Sequence, residues 1–237
     1  MFSIHGVDIN PEAYRDIFRN YAEKKGCYIL APEIPTNLQY GNVFNSSRGA
    51  DVLLTRNPES EWTFSLIDKI FDDFIERTRL SCKKYNIFGH SAGAQFVHRF
   101  LLFCPKAKVN AAVCANAGVW TPPDEGMPWG LGIKNTGISV DDVRKWHSIR
   151  VLIALGENDN DPNAKHLGHS PDTDKQGLTR LARGKYFFEY NKNYAKQKRI
   201  SFAWKLKTVP NVGHQSSKMA NAAMSFFDAA PVLRRST

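Results

Sequence analysis

Apolar residues recur along this chain with two alternating periods. Short, largely apolar runs occur at Phe2–Ile4, 27–31, 85–88, Val109–Ala115, 151–155 and 202–209; each predicts a strand, and those at Val109–Ala115 and 151–155 predict buried ones. Between them lie stretches whose apolar positions fall on one helical face. The first places Tyr14, Ile17, Phe18, Tyr21 and Ala22 together after an Asn10-Pro11 start, and Gly26 stops it. The second carries Leu66, Ile67, Ile70, Phe71, Phe74 and Ile75. Further helices are predicted over Ala92–Phe103, 186–198 and 216–230, the last with Met219, Ala223, Phe226 and Phe227 facing inward. Residues 36–60 and 160–185 are polar and read as loops. The stretch from Ala115 to Val151 reads as irregular around Trp120, Pro122, Pro123 and Trp129. Alternating strand and helix patterns predict an α/β fold with a mostly parallel sheet and helices on both faces.

Length changes this picture little. At 237 residues the chain predicts a single domain over 1–237, with 118–148 and 160–185 as candidate lid or cap segments. Apolar residues make up 42% and charged residues 23%, which excludes disorder for the bulk of the chain. No apolar run reaches the roughly 18 residues of a membrane span, and the N-terminus lacks the charge and apolar core of a signal peptide. A cytoplasmic location is the expectation for the sequence as it stands. The net charge of +9 favours acidic partners, but the basic residues are scattered apart from 192–199 and Arg234-Arg235. Neither a nucleic-acid nor a membrane partner is expected. Cys27, Cys82, Cys104 and Cys114 show no metal-binding spacing and read as buried free thiols.

The chemistry concentrates at Gly89-His90-Ser91-Ala92-Gly93, which fits G-x-S-x-G. The motif follows an apolar strand and opens an apolar helix, the setting a nucleophile elbow requires. Gly89 and Gly93 permit the tight turn that lifts the Ser91 hydroxyl above the sheet edge. The Ala92 amide, at a helix N-terminus, is then placed for a developing oxyanion. A serine nucleophile needs a base, and the base needs an orienting acid. The strand over 151–155 runs into Gly156-Glu157-Asn158-Asp159, and the strand over 202–209 runs into Pro210-Asn211-Val212-Gly213-His214. In a parallel sheet both loops leave the edge that carries the elbow, so Asp159 and His214 are expected to converge on Ser91. Asp161 is the alternative acid and Glu157 a third candidate; Asp159 and Asp161 could also simply cap a turn. The loop His5-Gly6-Val7 follows the first strand and offers the Val7 amide as second oxyanion donor, with His5 as a brace.

Other polar clusters carry less. His98 reads as structural. His166-x-x-His169 near Asp172 and Asp174 lacks a helical pair and reads as solvent-facing. Asp159-x-Asp161-x-Asn163 echoes a calcium loop, but Ala164 stands where the turn needs glycine. No phosphate-binding glycine loop is present, and no metal site is expected.

Several runs together resemble α/β-hydrolases of the dienelactone hydrolase and polyhydroxybutyrate depolymerase-like kind. They are His5-Gly6 through Tyr14-Arg15-Asp16, Tyr28 to Pro35, Phe88 to Phe100, Ala115-Asn116-Ala117-Gly118, Gly156 to Asn163, and Val209 to His214. The resemblance implies a mostly parallel eight-stranded sheet and cleavage of esters or related acyl bonds without a cofactor. It assigns Ser91, Asp159 and His214 as triad, with Val7 and Ala92 as oxyanion amides. Family members usually carry two or more strands before the oxyanion loop, whereas this sequence starts at that loop: either those strands are absent or the sequence is truncated upstream. An uncovered sheet edge is therefore expected. The expected activity is that of a serine esterase acting on a small-molecule or oligomeric ester. The rivals are a non-catalytic binding protein on the same fold, an acyltransferase or other acyl-bond chemistry with the same triad, and a basic nucleic-acid-associated protein.

Overall fold

The computed structural model describes residues 1–35, 40–45 and 54–229. Among the described residues five strands, where the resemblance implies eight, form one sheet in the order of the sequence: β1 (Phe2–Ile4), β2 (Tyr85–His90), β3 (Val109–Ala115), β4 (Val151–Gly156) and β5 (Lys205–Val209). Every neighbouring pair is parallel, with Ile4 opposite Gly89, His90 opposite Ala115 and Gly156 opposite Val209. All strand C-termini therefore lie along one edge. Alternate residues of the central strands enter two separate cores. Ile87, Cys114 and Ile153 pack on one face, and Phe88, Val113 and Leu152 on the other. Burial on both faces explains why these strands read as continuous apolar runs.

The helices are α1 (Pro11–Asp16), α2 (Arg19–Lys25), α3 (Ser65–Thr78), α4 (Ala92–Phe103), α5 (Val140–Ser148), α6 (Arg180–Lys198) and α7 (Ser216–Asp228). Residues of α3 to α6 join the first core, while those of α1 and α7 join the second.

Several expectations are corrected. The single helix predicted from Asn10 to Gly26 breaks between Asp16 and Arg19, although Gly26 ends it in the left-handed conformation with φ 59°. The predicted strand over 27–31 is only a bridge from Leu30 to Phe2, with Leu30 N donating to Met1 O and Ser3 N to Leu30 O. Those two bonds occupy the outer edge of β1 that was expected to be uncovered. The opposite edge strand, β5, carries exposed Lys205 and Lys207, a common guard against edge pairing. Helix α5 lies inside the stretch read as irregular. Its signal is a capping box, in which Ser139 accepts from the Asp142 amide and the Asp142 carboxylate accepts from the Ser139 amide. Helix α6 starts six residues before the predicted helix, capped by Thr179. Its first turns bury Arg180, Arg183 and Gly184 in place of apolar residues, so the inward face was disguised. Trp120, Trp129 and Trp146 are buried in the first core. All four cysteines are free, but only Cys114 is buried and Cys82 is exposed. Arg234 and Arg235 and the predicted helix end at Ala230 lie outside the described residues.

Candidate active site

The elbow forms as its glycines dictate. Ser91 sits between β2 and α4 with φ 57° and ψ −120°, a conformation costly for any residue with a side chain. The surrounding contacts hold it there. The Ser91 amide donates to Ala115 O at 2.9 Å. A Cβ at Gly89 would lie 2.2 Å from Gly93 O, and one at Gly93 would lie 2.2 Å from Ile4 O. Nothing larger than glycine fits where β1, β2 and α4 cross.

Ser91 opens into a cavity of about 190 Å³ at the strand C-termini. Gly6, Val7, Tyr14, His90, Arg180 and His214 share its wall with Ser91, along with Lys165 and His166 at the rim. Ala92 is the first residue of α4, so its amide has no partner within the helix. His5 ties the loop after β1 to the segment at Ile34. Its Nδ1 donates to Gly6 O at 2.7 Å, and its Nε2 accepts from the Ile34 amide at 2.9 Å.

His214 Nδ1 donates to Asp159 Oδ2 at 2.7 Å. Asp161 instead accepts from the Asn163 amide and caps its own exposed turn. Glu157 is exposed. The two loops are joined by Asn158 N donating to Val212 O, and by Asn116. The Asn116 side chain accepts from the Gly156 amide and donates to Gly213 O, clamping the Asp159 loop to the His214 loop.

The floor beneath His214 is His90, whose ring lies 4.5 Å from the His214 ring and whose Nδ1 is 2.9 Å from the Tyr14 hydroxyl. Burial, then the neighbouring His214 and Arg180, hold His90 well below the usual imidazole range. It is a neutral ring against which His214 packs. Burial also pushes the Tyr14 hydroxyl up to about 12, so it remains protonated.

Sequence reasoning missed Tyr14, Asn116 and Arg180. Tyr14 was read as a core position on a helix face. Asn116 stood in a recognised run with no role attached. Arg180 lay in a stretch read as loop and had no local signature. The two histidines weighed as metal ligands do not form a metal cluster, and none occurs among the described residues. His169 is bonded to Asp174 and Pro162 O, while His166 sits alone on the cavity rim with φ 62°. His98 is structural, donating to Ala94 O and accepting from the Thr121 amide.

Among solved structures, the chain is similar to poly(aspartic acid) hydrolase-1 from Sphingomonas sp. KT-1. The two are 34% identical over 94% of this chain and 85% of that one, with a TM-score of 0.87. The poly(3-hydroxybutyrate) depolymerase LpqC from Bordetella parapertussis is 26% identical over 95% of this chain and 78% of that one, with a TM-score of 0.86. An S-formylglutathione hydrolase from Agrobacterium tumefaciens shares the fold at 14% identity and a TM-score of 0.55, over 96% of this chain and 81% of that one. No family model and no curated protein matches the sequence. No helix among the described residues is long and apolar enough to cross a membrane.

Proposed function

Since this chain belongs to the α/β-hydrolase family of esterase- and depolymerase-like hydrolases, we propose that it is a serine hydrolase that cleaves a carboxylic ester through an acyl-enzyme on Ser91. One observation carries the reading. A strained Ser91 opens on the same cavity as His214, whose far nitrogen is held 2.7 Å from Asp159.

With Nδ1–H donated to Asp159, the free lone pair of His214 is on Nε2. Nε2 takes the Ser91 proton as Oγ attacks the acyl carbon. The carbonyl electron pair moves onto oxygen, where the Val7 and Ala92 amides receive it. The intermediate collapses, the bond to the leaving oxygen breaks, and His214 returns the proton to that oxygen. Water then attacks the acyl carbon with His214 again as base, and Ser91 leaves with its proton restored. No cofactor takes part in this scheme.

The ester substrate is a small molecule or an oligomer. A second reading, an amide bond within an anionic oligomer, is favoured by Lys165 on the cavity rim and by the net charge of +9. The similarity to a poly(aspartic acid) hydrolase points the same way. Competition between p-nitrophenyl esters of rising chain length and oligo-aspartate, at low and high salt, separates the two. An anionic substrate should lose affinity steeply with salt.

The decisive experiment is labelling by a fluorophosphonate probe together with ester turnover. Ser91→Ala should abolish labelling and reduce turnover by at least about 10⁴-fold while the fold is retained. Wild-type turnover in that variant would place the chemistry on a group other than Ser91, whereas a wild-type protein that is neither labelled nor active would favour a binding protein on a hydrolase fold.

A further inference from the structure

Both oxygens of the Asp159 carboxylate are occupied, and by different partners. Oδ2 accepts from His214 at 2.7 Å, while Oδ1 accepts from Arg180 Nη1 at 3.4 Å. Arg180 is 3% exposed, as is the Asp159 side chain. Its Nη2 donates to Lys165 O at 2.6 Å, and the next amide along, Leu181 N, donates to Asp159 O at 3.1 Å. The first turn of α6 thus holds the Asp159 backbone, its side chain and the cavity rim at once.

A buried guanidinium is expensive unless its partner repays it, and a mere loop anchor could be neutral. Here the charge faces the one carboxylate that touches His214. With Oδ1 fixed, the carboxylate cannot rotate away from His214. With the charge balanced, the Asp159 and Arg180 pair presents little net charge to the imidazole.

We propose that Arg180 is a positioning residue for this hydrolase: it locks the Asp159 carboxylate onto His214 and sets how readily His214 gives up its proton. The inference rests on the triad reading above. The groups facing His214 are Asp159 beyond β4, His90 at the end of β2 and Arg180 on α6 through Asp159. Lys165 and His166 on the rim, Tyr14 on α1 and Asp8 beyond β1 complete the charged and titratable cavity wall. Removing Arg180 leaves this set one positive charge poorer. The imidazolium then persists to higher pH, and the acid limb of the activity profile moves up.

The test compares Arg180→Met and Arg180→Lys by the pH dependence of kcat/KM on a p-nitrophenyl ester. Proton NMR of the His214 Nδ1–H signal and fluorophosphonate labelling accompany it. Arg180→Met should lower kcat about 10- to 100-fold with KM within about twofold. Its acid limb should move up by about half to one pH unit. Arg180→Lys keeps the charge but cannot reach Asp159 and Lys165 O together. Its limb should stay in place while kcat falls about 3- to 10-fold and the proton signal broadens. A folded Arg180→Met with an unmoved limb overturns the proposal, whether its rate is unchanged or lowered equally at every pH. If that variant does not fold, Arg180→Lys decides, and wild-type kcat with a sharp signal overturns it. An unlabelled wild-type protein would defeat the triad reading itself, whereas a labelled one with these negative outcomes defeats only the role of Arg180.

Discussion

The two walls of the cavity are held by different means. On the Ser91 wall, position comes from the backbone. Gly89 and Gly93 let β1, β2 and α4 approach until no Cβ fits, and the strained turn at Ser91 follows. On the Asp159 wall, position comes from buried polar side chains. Arg180 holds Asp159 and Lys165 O, while Arg183 reaches Gly118 O, Gly168 O, Gly177 O and Asp174. Asn116 ties that wall to the His214 loop. A backbone-built wall fails by steric collision. A wall built from side chains fails by leaving buried charges and carbonyls without partners.

The sharpest way to break the comparison is within the second wall. Asp159→Asn should lower kcat/KM by about 10³- to 10⁴-fold without unfolding the protein, because the amide can supply the wrong tautomer to His214. Asp161→Asn should stay within about threefold of wild type, since its carboxylate only caps a turn. Equal losses would mean that the 2.7 Å contact does not orient the base.

Stability separates the walls next. Gly93→Ala places a methyl 2.2 Å from Ile4 O, a collision with backbone that no rotamer relieves. A loss of about 4 kcal/mol or more is expected in denaturant unfolding. Arg183→Met removes a fully buried guanidinium from four partners and should cost about 3 kcal/mol. Its unfolding should be led by the 160–179 segment, visible as early loss of hydrogen-exchange protection there. A Gly93→Ala protein of wild-type stability would remove the backbone argument.

The smallest effect concerns acid. His147 on α5 is fully buried, donates Nε2–H to Asn191 on α6 at 2.8 Å, and is held down to about 4 by burial. In the unfolded chain its value is about 6.5. Between those values the unfolded state binds a proton that the folded state refuses, so stability falls as pH falls from about 6.5 to 4. The slope attributable to this group is at most about 1.4 kcal/mol per pH unit. His147→Gln should flatten the dependence of Tm on pH over that window, and an unchanged slope would show that His147 does not contribute.

What was legible in the sequence follows this same division. The strands β2, β3 and β4, the helix α4 and the elbow are written in neighbouring residues. Short, largely apolar runs, a 3.6-residue face and a pair of glycines each carry their meaning locally. The order of loops along a parallel sheet then brought Ser91, Asp159 and His214 to one edge without further information. The choice of Asp159 for contact with His214, against Asp161 two residues away, depended on which carboxylate a distant loop would meet. The start of α6 was hidden because its inward face is arginine, and an arginine reads as solvent-exposed until its partners are known. Those partners for Arg180, Asp159 and Lys165 O, stand 21 and 15 residues away in the chain. The bridge at Leu30, the break between α1 and α2 and the burial of Trp120 and Trp146 depend likewise on what each segment packs against. Local sequence determines period and turn, because those arise from bonded geometry and neighbouring side chains. Only the tertiary structure decides which buried polar groups satisfy one another, because that pairing is a property of segments brought together from distant parts of the chain.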